Sequence, residues 1–169
     1  MYTLRQLSAA DRTDFRALRQ TALTVSPDDF MITAGEEAAI PRLSIETALE
    51  QPRASNFFLG AFAENTASLV GIAGLLTTEF LKTHHSGRIT SLFVHPEHRR
   101  RGIARMLLER LLIRAAEGGL KSVRLEVVAE NRSVVKLYEA LRFVPYGREP
   151  AAYRMDAREW DLLLMTRAL

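Results

Sequence analysis

The sequence contains no cysteine, which excludes a disulfide framework, a zinc–thiolate site and a cysteine nucleophile together. That absence is compatible with a reducing compartment, and the expected location is the cytoplasm. No apolar run approaches the ~18 residues that a membrane-spanning helix needs. The first residues, Met1-Tyr2-Thr3-Leu4-Arg5, alternate like a strand and lack the apolar core of a secretion signal. Charge of one sign is also scarce in excess: 23 basic residues face 20 acidic ones, a net +3. That balance is too mild to argue for nucleic acid. The pI near 9.6 still suits a polyanionic small-molecule ligand. Repeats, low-complexity tracts and Gly/Ser linkers are missing too, so residues 1–169 are expected to form a single domain. The expected partners include neither a membrane nor nucleic acid.

Hydrophobic residues make up 47% of the chain, enough for one sizeable core, and their spacing predicts the elements. Residues 2–7 read as a strand. Between Ala9 and Thr24 the apolar positions Phe15, Leu18, Ala22 and Leu23 recur at helical spacing, until Ser26-Pro27-Asp28-Asp29 breaks the pattern. A weak stripe of Leu43, Ile45 and Leu49 predicts a helix over Pro41–Glu50. The runs Phe57–Phe62, Leu69–Leu76 and Ile89–Val94 read as strands, the last ended by His95-Pro96. A helix is expected over Gly102–Glu117, with Ile103, Met106, Leu107, Leu111 and Ala115 on one face and Gly118-Gly119 as its stop. A strand over Val123–Val128, a helix over Asn131–Leu141 and strands near Val144–Arg148 and Trp160–Thr166 complete the chain. This order indicates a mixed α/β domain rather than an alternating parallel fold.

The informative stretch runs from Leu92 to Arg105. A strand ends, the basic loop His98-Arg99-Arg100-Arg101 follows, and Gly102 opens a long amphipathic helix. Amides at a helix N-terminus lack intrahelical partners and the dipole there favours negative charge, so such an end suits a phosphate. Gly102 and Ala104 would let an anion approach the backbone, and the arginines would add charge-assisted hydrogen bonds. The pattern is neither the G-x-x-x-x-G-K-S/T of a P-loop nor the G-x-G-x-x-G of a dinucleotide-binding turn.

Arg99-x-x-Gly102-x-Ala104 resembles the pyrophosphate-binding signature Gln/Arg-x-x-Gly-x-Gly/Ala of the GNAT acetyltransferases, and it follows a Val-x-Pro strand end as in that family. Downstream, Asn131-Arg132-Ser133-Val134-Val135-Lys136-Leu137-Tyr138-Glu139-Ala140-Leu141-Arg142-Phe143 is similar to the family's Asn-x-x-Ala-x-x-Leu-Tyr-x-x-x-Gly-Phe. The resemblance is strongest from Ile89 to Tyr146. Two positions depart from it: Val134 stands for a small residue and Arg142 for the glycine before Phe143. The resemblance implies a twisted, mostly antiparallel central sheet with helices on both faces and one parallel pair that splays to make a cleft. It implies acetyl-CoA as cosubstrate and direct attack of an acceptor amine, of a small molecule or of a protein, on the thioester.

By the same resemblance, backbone amides of Arg100, Arg101, Gly102, Ile103, Ala104 and Arg105 would hold the pyrophosphate, with Arg99 part of the same cofactor site. The main chain of Leu92, Phe93 and Val94 would pair with the pantetheine arm, and Asn131, also a natural helix N-cap, would contact that arm or the acetyl group. Tyr138 would bind there too and protonate the departing thiolate, because a phenol with reference pKa of about 10 stays protonated at neutral pH. A base matters more for a lysine-like amine, whose deprotonation at pH 7 costs roughly 4.6 kcal/mol, than for a peptide α-amine, which costs about 1 kcal/mol. Glu126 is the first candidate, with Glu79, His85 and a water chain behind it. No metal is expected: His84 and His85 are adjacent, which points their rings to opposite faces of a strand. The acceptor side is expected to lie among residues 25–45, the Phe80–Arg88 link and an Arg148–Arg158 loop. The apolar segment Trp160–Thr166 is a candidate for pairing across a homodimer. Two other readings stay open, an inactive acyl-CoA-binding sensor and a nucleic-acid module built on Arg99–Arg101.

Overall fold

Two apolar runs lose the alternation expected of a strand because both of their faces are covered. These are β2 (Phe57–Ala63) and β3 (Ser68–Leu76), buried along almost their whole length. The computed structural model describes residues 1–169. Its other strands are β1 (Tyr2–Gln6), β4 (Ser86–Val94), β5 (Ser122–Val128), β6 (Val144–Met155) and β7 (Arg158–Ala168). Together they form one seven-stranded sheet in the order β1-β2-β3-β4-β5-β7-β6. Every pairing is antiparallel except β4 with β5.

Helices cover both faces. On one, α4 (Ile103–Glu117) and α5 (Arg132–Ala140) bury Leu107, Leu108, Leu111, Val135 and Tyr138 against Phe57, Val70, Leu75, Val123 and Leu125. On the other, α1 (Arg12–Val25) places Phe15, Leu18 and Ala22 on Phe58, Ile72 and Phe93, with Phe15 and Phe58 meeting edge to face at 4.9 Å. Gly71 lets α4 lie close to the sheet: a Cβ there would stand 3.1 Å from Ile103 and 3.2 Å from Leu107. That close approach fixes the N-terminus of α4 beside the end of β4. No helix is long and apolar enough to cross a membrane.

Three sequence expectations change. The Pro41–Glu50 segment is not one helix. It holds a 3-10 turn at Ser44–Glu46 and a single helical turn, α3 (Thr47–Glu50), while a short helix, α2 (Ala34–Ala38), precedes it. Pro41 disfavours helix at Ile40, and long-range bonds then set the path. Arg16 Nη1 donates to Ile40 O (2.9 Å), Arg12 Nη2 to Pro41 O (3.0 Å), and both arginines pair with the fully buried Glu46. Second, Arg148–Arg158 is not a loop but most of a long hairpin that turns only at Asp156-Ala157. Pro150 hid it, and the structure accommodates that proline in an irregular stretch of the edge strand between Glu149 and Tyr153. Third, Trp160–Thr166 cannot pair across a dimer. β7 lies inside the sheet, bonded to β5 on one side and β6 on the other, so its backbone groups are already used.

The departure at Arg142 has a structural consequence. Helix α5 ends with Phe143 N–H donating to Tyr138 O (3.0 Å) and Arg142 N–H to Glu139 O (2.8 Å), a Schellman closure. Such a closure needs a left-handed residue, and Arg142 supplies it at φ 63°, where glycine carries no Cβ penalty. Replacing the exposed side chain by Arg142→Gly is expected to raise stability by about 1 kcal/mol, read from the midpoint of urea unfolding at unchanged m-value.

Candidate active site

Strands β4 and β5 pair only at Ser86–Ser122, Gly87–Val123 and Arg88–Arg124. Beyond that point β5 continues along β7 to Val128 and β4 continues along β3 to Val94, so the two strands part. The inner edge of β4 from Ile89 onward has no strand beside it, and its main chain faces a cleft of about 1010 Å³. Leu92, Phe93, Val94, Arg99, Ala104, Glu126, Asn131 and Tyr138 all line that cleft, so chain segments far apart in sequence meet there.

The loop into α4 is shaped to receive an anion. Arg100 (φ 61°) and Gly102 (φ 79°) both take left-handed conformations, with Arg101 between them. Alternation of this kind turns successive N–H groups toward one concavity. The first intrahelical bond runs from Met106 N–H to Gly102 O (3.0 Å), so Ile103, Ala104 and Arg105 offer amides free of helical partners. Space above Gly102 is open: a Cβ there would meet nothing within 4 Å. The side chains divide by role. Ile103 is buried in the core, so only its main chain is available. Arg99 Nε donates to Val94 O (3.0 Å), its Nη2 to Ser26 Oγ (3.3 Å), and its guanidinium lies over Phe93. Arg101 Nη1 donates to Tyr2 Oη (3.0 Å) and Arg105 pairs with Glu109 (2.8 Å). Arg100 is exposed.

Midway along the cleft, β4 carries an extra residue. Ile72 faces Phe93 and Gly74 faces Thr90, so Ser91 and Leu92 together oppose Ala73, and Ser91 sits at φ 55°. This bulge re-aims the strand at the cleft wall. A buried network holds it. Arg19 Nη1 donates to Ser91 Oγ (2.7 Å), while its Nε lies 2.9 and 3.1 Å from the Glu37 carboxylate oxygens and its Nη2 also pairs with Glu37. Arg19 and Glu37 belong to no sequence motif. The one signal available was a charged residue within the apolar stripe of α1, four after Phe15 and three before Ala22.

Tyr138 is almost wholly buried and packs edge-on against Phe143 at 5.6 Å. Burial, and secondarily the Asp29 carboxylate, raise its pKa well above the ordinary phenol value, so it is held protonated. Asn131 caps α5 through Val134 N–H (3.3 Å) and also donates from Nδ2 to Asp29 Oδ1 (2.8 Å) across the cleft. Arg158 to Asp28 (2.9 Å) makes a second crossing to the same turn.

Glu126 reaches across the point where the strands part and accepts from Arg88 Nη2 (3.0 Å). Tyr153 lines the cleft with this pair, its pKa raised by burial and then by Glu126. Glu79 and His85 are not brought in: Glu79 is exposed and pairs with Arg53, and His85 is exposed before β4. The segments expected to form the acceptor side reach the cleft only in part. Phe30, Met31, Ile32, Glu36, Ile40, Leu43 and Ile45 line the cleft, whereas residues 80–85 do not.

A sheet split at its one parallel pair, with unpaired helix-start amides at the mouth, forms an open cleft on a mixed α/β fold. The model of the Acetyltransferase (GNAT) family matches residues 18–143. The chain belongs to that family. The L-amino acid N-acyltransferase MnaT of Escherichia coli is 31% identical over 75 residues, 44% of each chain. The ribosomal protein bS18-alanine N-acetyltransferase of Salmonella typhimurium is 42% identical over 53 residues, 31% of this chain and 36% of that one. The chain thus matches less than half the length of either curated relative. Among solved structures, the phosphinothricin acetyltransferase of Sinorhizobium meliloti in complex with AcCoA superposes with a TM-score of 0.81 at 21% identity, covering 99% of this chain and 88% of that one. An acetyltransferase of the GNAT family from Streptococcus pneumoniae gives 0.81 at 20% identity over the whole of both chains.

The buried pair beneath the bulge yields a test. Glu37→Ala leaves the Arg19 guanidinium buried without its carboxylate and is expected to cost about 3–5 kcal/mol, measured by urea unfolding.

Proposed function

We propose that residues 1–169 act as a single-domain N-acetyltransferase that moves the acetyl group of acetyl-CoA to a primary amine. The observation that carries this reading is the unpaired inner edge of β4 leading straight into the anion-receiving loop at Arg99–Arg105. An extended pantetheine arm would bond to the Leu92–Val94 main chain, with its pyrophosphate on the loop amides. An inactive sensor is disfavoured because the cleft keeps a buried, protonated tyrosine that binding alone does not need. The loop arginines are committed to intrachain partners at Arg99, Arg101 and Arg105, which argues against a nucleic-acid face. A cytoplasmic setting goes with this reading, since acetyl-CoA is available there.

In the reaction the neutral amine attacks the thioester carbonyl carbon. The C–N bond forms, the carbonyl oxygen takes up charge, and a main-chain amide of Phe93 or Val94 stabilises it. The C–S bond then breaks and Tyr138 gives its proton to the departing sulfur. Glu126 takes the proton that the amine loses. Holding both reactants in one narrow cleft supplies much of the acceleration.

The acceptor that best fits the cleft is an α-amino carboxylate with an apolar side chain. Arg88 and Glu126 set opposite charges 3.0 Å apart on the cleft wall. A zwitterion can pair with both, its carboxylate taking Arg88 and freeing Glu126 for the ammonium group. Met31, Ile32, Ile40 and Ile45 form the apolar wall. The related L-amino acid N-acyltransferase supports the same reading.

Acetyl-CoA titration by calorimetry tests the core of the proposal. The wild type is expected to bind, and a folded Gly102→Glu variant, with an anion where the pyrophosphate would lie, is expected not to. Tyr138→Phe is expected to keep acetyl-CoA affinity while kcat falls by about 10²–10⁴. Failure of the wild type to bind any acyl-CoA defeats the reading. For the acceptor, Arg88→Gln is expected to raise KM for L-leucine by more than about tenfold and leave KM for L-leucinamide unchanged. Equal effects on the two acceptors would remove the carboxylate contact.

A further inference from the structure

The turn that joins β4 to the anion loop carries a second constellation that the acetyl-transfer reading leaves unused. Pro96–His98 is a 3-10 turn flanked by His95, and residues three apart on such a turn stack on one side. One ring nitrogen each from His95 and His98 and a carboxylate oxygen of Glu97 lie within 4.8 Å of one another, and the two rings are 6.0 Å apart between centroids. His95 Nδ1 is shielded from solvent and has no hydrogen-bond partner in the protein. Buried polar atoms are rarely left this way, so this nitrogen points to a partner supplied from outside the chain. His98 Nδ1 lies 3.0 Å from Tyr2 Oη, which also accepts from Arg101 Nη1 at 3.0 Å. With His98 Nδ1–H donating to that oxygen, its Nε2 lone pair is free and the ring is oriented, the arrangement that supports a metal-bound imidazole.

We infer that His95, Glu97 and His98 form a binding site for one divalent transition-metal ion, with zinc the best match to two imidazoles and one carboxylate. A tetrahedral zinc 2.0–2.1 Å from each nitrogen sets its ligand atoms about 3.3 Å apart. The cluster must therefore draw in by up to about 1.5 Å, and Glu97, the ligand on the surface, is exposed. Three protein ligands leave a coordination position for water or for an oxygen of a bound anion. The surroundings make Glu97 decisive. Arg99, Arg100 and Arg101 follow directly in the chain, so the carboxylate is the anion that offsets their repulsion of a cation. The site lies at the foot of the loop that opens at Arg99, so metal and acetyl-CoA would act on the same few residues of backbone, and the two affinities are expected to be linked.

Calorimetric titration of the metal-free full chain with zinc chloride tests this, without using turnover as a readout. One equivalent is expected to bind. Glu97→Gln is a surface substitution that leaves the fold alone and is expected to weaken binding by at least about tenfold. His98→Gln is expected to weaken it at least as much, while the double variant His84→Gln/His85→Gln is expected to bind as the wild type does. Absence of zinc binding at 100-fold excess over about 1 μM protein would overturn the site. So would zinc binding that survives Glu97→Gln and His98→Gln, or that disappears with His84 and His85. Acetyl-CoA binding of each variant, measured alongside, separates this result from the acetyltransferase reading, which stands whether or not zinc binds.

Discussion

The site depends on β4 and β5 being joined for only three residue pairs before they separate. Every backbone N–H and C=O withdrawn from water needs a partner. β5 meets that need on its far edge with β7, and β4 with β3, so each strand remains ordered while its inner edge is left open. An open strand edge inside a folded domain is a template for another extended chain. Here it is narrow and walled by α4 and α5, and it ends at unpaired helix amides, so the chain it suits is short and anionic at one end. The cleft, the loop and the placing of Tyr138 all follow from that separation.

Keeping the cleft in shape requires local conformations that the chain would otherwise avoid. Ser91 and Arg100 hold positive φ without being glycine, at a cost on the order of 1–2 kcal/mol each. At Ser91 the compensation is visible: Arg19 spans from the bulge hydroxyl to Glu37, so α1, α2 and β4 are tied at one point beside the reacting region. Buried ion pairs rarely add net stability, because desolvation offsets their attraction. This pair is better understood as fixing position, since it holds a bulge whose main chain would face the thioester.

The two walls of the cleft differ in chemistry. The wall of β4 and α4 offers main-chain groups and a basic loop, suited to the invariant parts of a CoA ester. The wall from Phe30 to Ile45, with Arg88, Glu126 and Tyr153, offers side chains, apolar surface and the Arg88–Glu126 pair of opposite charges. Side chains discriminate between ligands and main chain does not, so under the proposed function the second wall is where acceptors would be told apart. The turn from Asp28 to Asp29 is bonded to Asn131 at the start of α5 and to Arg158 on β7, which ties the segment before Phe30 to the far side of the cleft.

The sequence by itself determined the local features. The apolar periods of α1 and α4, the runs of β2 and β3 and the Asn131 cap follow from short-range sterics and hydrogen bonding, which neighbouring residues control. The loop signature from Arg99 to Ala104 was legible for the same reason, since a left-handed glycine before a helix start is a property of consecutive residues. What only the tertiary structure decided was whatever depended on distant partners. Glu46 pulled residues 40–50 away from a continuous helix, and the interior position of β7 used the strand edge that a dimer would have needed. Pairing with β7 carried β6 through Pro150 to Met155. Arg19 with Glu37, and Arg88 with Glu126, are 18 and 38 residues apart, so no periodicity links them. Burial and charge complementarity join such residues, and both exist only once the sheet has brought the segments together.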